Sequence, residues 1–199
     1  MDMEKEFILA KKALDNHGVI AFPTETVMGL AIYFDDKEAY EKLNFIKRRP
    51  EDKPYTMMVS DINRIDNYAY VSPKARKIIN AFMPGSITLL LPAKEGLPTW
   101  VTHNSGVIGI RVPSNKIGLA LLKAVDKPLL VPSANRSGDK PALDSKEVEE
   151  IFQNDIDFIV PGKANLDKPS TIVSLINDEV KVVREGPISI EQILEAIKI

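Results

Sequence analysis

The feature that most constrains the fold is the alternation of short apolar runs with longer amphipathic stretches. ITLLLPA (87–93) and GVIGIRVP (106–113) are apolar, rich in β-branched residues and typical of buried strands. SNKIGLALLKAV (114–125) instead carries apolar residues at helical spacing. This alternation predicts an α/β protein, and the consecutive strand patterns near 158–184 predict that part of the sheet is antiparallel. We therefore expect one domain over residues 1–199, a twisted mixed sheet of parallel and antiparallel strands with flanking helices.

A basic group is predicted at the exit of one helix. Asp35 or Asp36 can cap a helix, and Pro50 is expected to end it by disfavouring helical geometry at Arg49. Lys47 and Arg49 are two residues apart and can project to one side, where two cations would suit a phosphate or a carboxylate. A solvated basic helix end, stabilised by the helix dipole, is the alternative.

Composition excludes several classes of protein. The 199 residues include no cysteine, which removes disulfides, thiolate catalysis and cysteine-ligated zinc. The 26 basic and 28 acidic residues give a net charge of −2, which argues against electrostatic attachment to nucleic acid as the main activity. His17 and His103 form no ligand pattern, so no protein metal site is predicted. With no signal peptide or bilayer-spanning segment evident, we expect a cytoplasmic protein without membrane contact.

Two apolar strands are followed by small polar side chains. The first stops at Pro23 and is followed by two threonines and a glutamate, residues 24–26. Ser133 and Asn135 follow a second buried strand, and ligands bind at the carboxyl ends of strands in open α/β sheets. Capping of the turn that follows is the alternative role for Ser133 and Asn135.

Two further strands each end in arginine. Arg111 closes GVIGIR and Arg184 closes VKVVR. Because burying an unpaired charge is prohibitive, each arginine must be solvated or paired. The two form either two surface salt bridges or two walls of an anion site.

Taken together, these segments resemble the YrdC/Sua5 family of L-threonylcarbamoyladenylate synthases. The resemblance runs from about residue 8 to about residue 190 and rests on FPTETVMGLA, KRRPEDKPYTMMVSD, MPGSITLLLPA, GVIGIRVPS, PLLVPSANRSG, STIVSL and VVREG, in that order. It implies a YrdC-like fold of the short YrdC (TsaC) type, without the additional C-terminal Sua5 domain. Met28, Met58 and Ser174 depart from residues common in the family at those positions, namely tyrosine, histidine in some members, and aspartate.

The resemblance implies an activity and its partners. Family members make threonylcarbamoyl-adenylate and pyrophosphate from L-threonine, bicarbonate or CO2, and ATP with Mg2+. A transfer complex then places the threonylcarbamoyl group on tRNA, so tRNA is a partner either directly or only through that complex.

The resemblance also implies the site residues, carried over by motif. The expected threonine-binding residues are Thr24, Thr26, Arg111, Ser170 and Thr171, with Arg111 as a bidentate partner of the carboxylate. The expected ATP-binding residues are Lys47, Arg49, Lys53, Ser133, Asn135 and Arg184, of which Lys47, Arg49, Ser133 and Asn135 form the catalytic set.

Two rival functions remain open at this point. One is an RNA-binding or ribosome maturation factor without adenylation activity. The other is the related carbamoyl-adenylate-forming domain of hydrogenase maturation, which normally belongs to a longer chain with cysteine zinc fingers.

Overall fold

A nine-stranded mixed sheet organises the part of the chain that this computed structural model describes, residues 2–48 and 54–198. The strands are β1 (Ile20–Pro23), β2 (Met28–Tyr33), β3 (Met57–Met58), β4 (Ile87–Pro92), β5 (Val107–Arg111), β6 (Leu129–Leu130), β7 (Phe158–Ile159), β8 (Thr171–Ser174) and β9 (Lys181–Arg184). The helices are α1 (Met3–Asp15), α2 (Lys37–Lys47), α3 (Pro73–Phe82), α4 (Thr99–Thr102), α5 (Lys116–Val125), α6 (Ser145–Phe152) and α7 (Ile190–Lys198). None of these helices is long and apolar enough to cross a bilayer.

The strand order is β7-β1-β2-β6-β3-β5-β4-β8-β9. Three pairs are parallel, β1 with β7, β3 with β5 and β4 with β8, and the remaining neighbours are antiparallel. The predicted mixed α/β sheet is therefore confirmed. Although β7 precedes β8 and β9 in sequence, it lies at the opposite edge of the sheet from them.

Alternate residues of the first strands belong to different halves of the core. Ile20 and Phe22 pack in a cluster with residues of α1 and α5, whereas Ala21, between them, belongs to the cluster that includes residues of α2, α3 and α6. Successive side chains of a strand point to opposite faces, so this division shows that helices cover both faces of the sheet. Residues buried on both faces explain why β1 and β2 are continuous apolar runs.

Helix α2 ends in a way that the sequence did not indicate. Its N-terminus is capped by Asp36, whose carboxylate accepts from the Ala39 N–H at 3.0 Å. At the other end Arg48 adopts the left-handed conformation, with φ 51°, and terminates the helix at Lys47. Pro50, expected to end the helix, lies outside the described residues.

The structure contains short elements that were not predicted. Helix α4 has four residues, and a 3-10 helix spans Ile62–Asn67. Neither is long enough to establish a hydrophobic period, which is the signal on which the sequence analysis depends.

His17 and Asp36 form a surface pair that predicts a pH effect. The His17 Nδ1 lies 2.9 Å from Asp36 Oδ2, and the hydrogen bond and negative charge of Asp36 raise the pKa of His17 above its ordinary value. Because the folded pKa is raised, this pair stabilises the fold fully below the ordinary histidine pKa of about 6.5. The stabilisation is lost as the pH rises through the folded pKa.

We expect Asp36→Asn to lower the pKa of His17 towards its ordinary value, measured by NMR titration of the histidine rings. Asparagine caps helices as well as aspartate, so helix α2 should be retained. The resonance of His103, whose ring nitrogen contacts Tyr40 and not Asp36, is the internal reference. A His17 pKa that does not move would contradict the pairing.

Candidate active site

A cleft of about 180 Å³ crosses the middle of the sheet. Its lining comes from β2, β3, β5, β8 and β9, from the turn before β2 and from the segment after β6. Six of the predicted site residues line it, namely Thr24, Thr26, Arg111, Ser133, Ser170 and Arg184. In an open parallel sheet, the carboxyl ends of the strands would be expected to form the cleft. Here antiparallel neighbours place the start of one strand beside the end of another, so both kinds of strand end contribute.

The turn between β1 and β2 is held by the hydroxyl of Thr24. That hydroxyl donates to the Val27 carbonyl oxygen at 2.6 Å and accepts from the N–H groups of Thr26 and Val27 at 3.2 and 3.3 Å. Since its one proton is used there, the Thr26 hydroxyl donates to Thr24 across 2.9 Å. Thr24 therefore shapes the turn, and Thr26 presents the remaining acceptor capacity to the cleft.

Arg111 is paired with a carboxylate that the sequence analysis did not assign to the site. Its Nη2 donates to Glu25 Oε1 at 2.6 Å and to the Thr26 hydroxyl at 3.1 Å, and its Nε donates to the Gly85 carbonyl at 3.2 Å. Arg111 and Glu25 are 4% and 7% exposed. The requirement that a buried arginine be paired is thus met within the protein.

These contacts leave one end of the guanidinium directed to the cleft. Among the described residues, Nη1 of Arg111 has no hydrogen-bond partner, and it is not a buried unsatisfied atom. A ligand can therefore accept two hydrogen bonds from Nη1 without disturbing the pair with Glu25. The expected bidentate contact through two different nitrogens would require Arg111 to give up one of its present bonds.

Arg184 lies against Ser170 at the other side of the cleft. Its Nη2 donates to the Ser170 carbonyl and hydroxyl at 2.8 and 3.2 Å, and the Ser170 hydroxyl also contacts the Thr88 hydroxyl at 2.9 Å. Burial, and secondly the positive charge of Arg111, lower the pKa of Arg184. The two arginines line the same cleft, so their like charges repel each other there.

Thr171 does not face the cleft. Its hydroxyl donates to the Ile188 carbonyl at 2.8 Å and accepts from the Ile188 N–H at 3.0 Å, while its strand neighbours Ser170 and Ile172 line the cleft. The alternation of side chains along an extended chain explains the difference. The backbone of Gly186 packs directly against this segment, so closely that a Cβ at Gly186 would lie 2.4 Å from the Thr171 nitrogen.

Lys47 is brought to Ser133 and Asn135, as predicted, but it is buried beneath them. The residue is 1% exposed, and its Nζ donates to the carbonyls of Ser133 and Asn135 at 2.6 and 2.7 Å and to Asn135 Oδ1 at 3.1 Å. These three bonds equal the number of donors on an ammonium group. In this arrangement Lys47 fixes the segment that follows β6.

The amide of Asn135 is also used within the protein. Its Nδ2 donates to the carbonyls of Arg136 and Asp139, both at 2.8 Å, and its Oδ1 accepts from Lys47 and from the Ser133 hydroxyl. These contacts match the alternative role of Asn135, which is to cap the turn that follows it. Ser133 lines the cleft, whereas Lys47 and Asn135 support it from behind.

Two predicted ATP-binding residues, Arg49 and Lys53, lie outside the described residues. The described end of α2 is tied to the segment after Asn135, because the Ser137 N–H donates to the Lys47 carbonyl at 2.8 Å. Pro54, the first described residue after Arg48, lines the cleft.

A larger cleft, of about 660 Å³, lies elsewhere, between α2 and the turn after α4. Its charged lining residues, Lys37 and Glu41, are exposed and face each other at 3.7 Å. None of the predicted site residues that the structure describes lines it. The convergence of arginines and hydroxyls therefore assigns the candidate active site to the smaller cleft.

Comparison with known proteins decides the family. The family model Sua5_yciO_yrdC, described as "Telomere recombination", matches residues 12–186. The chain belongs to the Sua5/YciO/YrdC family. The resemblance stated from the motifs is thereby confirmed.

Relatives of this Sua5/YciO/YrdC chain include proteins named as synthases. A Bacillus subtilis protein named threonylcarbamoyl-AMP synthase is 34% identical over 187 residues, covering 92% of this chain and 54% of that protein. A Methanocaldococcus jannaschii protein that carries the same name provisionally is 34% identical over 193 residues, 96% of this chain and 91% of its own length.

Solved structures of the family confirm the YrdC-like fold. Pyrococcus abyssi Sua5 complexed with L-threonine has a TM-score of 0.92 at 29% identity, covering 99% of this chain and 58% of that one. Escherichia coli YciO has a TM-score of 0.87 at 28% identity, covering 96% and 94%. The chain thus spans little more than half of the Bacillus and Pyrococcus proteins.

Sequence reasoning missed three contributors to the site. Glu25 could have been found, because a carboxylate between two threonines in a buried turn needs a cation, and Arg111 needs an anion. The Gly85 carbonyl and the Thr88 hydroxyl carry no comparable signal, since their role depends on which strands become neighbours.

Proposed function

We propose that this Sua5/YciO/YrdC chain makes threonylcarbamoyl-AMP and pyrophosphate from L-threonine, bicarbonate or CO2, and ATP. The observation that supports this most directly is the convergence of Arg111 and Arg184 on one cleft that contains the Thr26 hydroxyl. The product would supply the transfer complex that makes N6-threonylcarbamoyladenosine in tRNA. Because the reaction consumes ATP and its product is destined for tRNA, we propose that the enzyme acts in the cytoplasm.

The charges around the cleft favour an anionic ligand. Arg111 is neutralised by Glu25, whereas Arg184 contacts only neutral oxygen atoms of Ser170 among the described residues. The described residues therefore give the cleft an excess of one positive charge. A ligand carboxylate at Arg111 Nη1 would balance that charge and weaken the repulsion by Arg111, which after burial is the second cause of the lowered pKa of Arg184.

The remaining groups suit an amino acid. The Thr26 hydroxyl offers an acceptor to the amine or hydroxyl of threonine, because its proton is committed to Thr24. The volume of about 180 Å³ is below the range of about 300–1,000 Å³ found for drug-sized ligands, so the described cleft suits the amino acid rather than the whole of ATP. We place ATP towards Ser133, and we propose Arg49 and Lys53 as partners of its phosphates.

Catalysis in this proposal consists of positioning and electrostatic stabilisation. The threonine amine adds to CO2 and loses a proton, giving a carbamate, and a carbamate oxygen then attacks the α-phosphorus of ATP while pyrophosphate leaves. Holding the amine beside the α-phosphorus of ATP makes the second step effectively unimolecular. Mg2+ bound to ATP would supply neutralisation of the charge on the phosphates, while the residues of the cleft hold the amino acid.

Apolar side chains would protect the intermediates from water. Val27, Met28, Met58, Val131 and Ile172 all line the cleft beside its polar groups. Carbamates and acyl-adenylates decompose in water, so a site that excludes solvent preserves them until transfer. Met28 and Met58, which depart from the common family residues, contribute to this apolar wall.

Pyrophosphate release from ATP with Mg2+ and bicarbonate tests the proposed function. We expect release that depends on L-threonine, with a lower rate for L-serine, which lacks the methyl group. Equal rates with and without threonine would overturn the proposal. Release that requires carbamoyl phosphate instead would indicate the hydrogenase-maturation activity, and salt-sensitive tRNA binding without turnover would indicate an RNA-binding factor.

A further inference from the structure

We infer that Glu25 is the positioning residue of the cleft, holding Arg111 in the orientation that leaves Nη1 available to a ligand carboxylate. The identity of that ligand as threonine rests on the proposed function. The orientation of Arg111 does not depend on the identity of the ligand, and it can be measured in the free protein.

Glu25 joins segments that are far apart in the sequence. Its Oε1 accepts from Arg111 Nη2 at 2.6 Å and its Oε2 accepts from the Ser114 N–H at 3.1 Å. Its backbone carbonyl accepts from the Leu166 N–H at 3.0 Å. One residue thus ties the turn before β2 to the end of β5, to the loop after β5 and to the loop that leads to β8.

The orientation of Arg111 depends on this carboxylate. A guanidinium can present any of its five N–H donors to a ligand, but here Nε is bonded to Gly85 and both donors of Nη2 are bonded to Glu25 and Thr26. The Gly85 and Thr26 contacts are to neutral oxygen atoms, and hydrogen bonds between two charged groups are the stronger kind. Glu25 therefore contributes most to selecting Nη1 as the nitrogen that faces the cleft.

Glu25→Gln keeps the shape of the side chain but changes its charge and its hydrogen-bonding groups. The carboxylate accepts from two donors, Arg111 Nη2 and the Ser114 N–H. An amide of the same shape has one oxygen and one NH2 group, so one of the two donors must face another donor. Glu25→Gln therefore releases either Arg111 or the loop at Ser114, whereas Glu25→Asp keeps the charge at a shorter reach.

The two possible roles of Glu25, positioning Arg111 or only balancing its charge, predict opposite effects of Glu25→Gln on carboxylate binding. If Glu25 only balanced the charge of Arg111, its neutralisation would raise the net charge of the cleft by one positive unit and tighten carboxylate binding. If Glu25 positions Arg111, the same substitution weakens carboxylate binding although the cleft becomes more positive. The sign of the change is therefore decisive.

Isothermal titration of L-threonine into the wild-type protein, Glu25→Gln and Glu25→Asp measures that sign. We expect Kd for threonine to rise about 10- to 100-fold in Glu25→Gln, as for the loss of a hydrogen bond to a charged group, with Glu25→Asp between the two. The KM for ATP should change by less than about twofold, because the Glu25 carboxylate bonds to Arg111 and Ser114 and, within the described residues, to none of the proposed ATP-binding residues. Glu150→Gln is the matched control. Glu150 is exposed, and its surface pair with Lys146 is long, at 3.8 Å, so it contributes little.

Nitrogen-15 NMR of the Arg111 guanidinium gives a readout that needs no ligand. Slow rotation about the Cζ–Nη bonds is expected in the free wild-type protein and faster rotation in Glu25→Gln, while the thermal unfolding curves show that each variant is folded. Unchanged rotation, or unchanged or tighter threonine binding in Glu25→Gln, overturns the inference. If the wild-type protein binds no threonine but the rotation changes as expected, the proposed function fails and the positioning of Arg111 stands.

Discussion

Arg111→Ala is expected to cost about 2 to 5 kcal/mol of threonine binding, measured as a rise in KM for L-threonine during pyrophosphate release. Nη1 of Arg111 offers two unused donors on the Thr26 side of the cleft. Arg184, whose Nη1 also has no partner among the described residues, lies against Ser170 on the other side, so Arg111→Ala removes the carboxylate contact beside Thr26. The KM for ATP should change little. An effect confined to ATP would contradict the assignment of Arg111 to the amino acid.

Two further variants separate binding from folding. Arg111→Ala leaves the Glu25 carboxylate buried without its cation, which typically destabilises a protein by about 3 to 5 kcal/mol. The double variant Glu25→Gln with Arg111→Met removes that uncompensated charge, so we expect it to recover much of the stability and none of the threonine binding. Arg64→Ala is the control, because Arg64 pairs with Asp126 at the surface and exposed pairs contribute at most about 1 kcal/mol.

The strands were predictable because their residues obey a local rule. A run such as β1 or β4 is recognisable from its own composition, and the mixed character of the sheet followed from strand patterns without a helix between them. The partner of Arg111 was not predictable in the same way. Glu25 is 86 residues away, and only the order of strands in the folded sheet shows that the two side chains meet.

The site residues show a similar limit. Motifs placed Ser170 and Thr171 together in the threonine pocket, but adjacent residues of a strand point in opposite directions, and Thr171 bonds to Ile188. Motifs also paired Lys47 with Ser133 and Asn135, and the structure brings the three together. What a motif does not specify is which of its members faces the ligand and which holds the others in place.

Lys47→Met is expected to lower the free energy of unfolding by about 1 to 3 kcal/mol, the usual cost of leaving buried hydrogen-bonding groups without a partner. Methionine fills a similar volume but donates no hydrogen bond, so the carbonyls of Ser133 and Asn135 lose a charged donor in a place that water does not reach. Urea unfolding followed by circular dichroism measures this loss. Lys37→Met, at the other end of the same helix, is the matched control, because Lys37 is 70% exposed and its pairing with Glu41 is long.

The same variant tests which role of Lys47 dominates. If Lys47 mainly supports the cleft, ATP binding should fall in proportion to the loosening of the segment after β6, and conditions that restore stability, such as an osmolyte, should partly restore it. If ATP binding is lost while the unfolding curve is unchanged, the ammonium must leave Ser133 and Asn135 to contact the phosphates, and the buried arrangement is not its working state. Because an ammonium with three internal acceptors has no donor left for a phosphate, the first result is the one that the geometry favours.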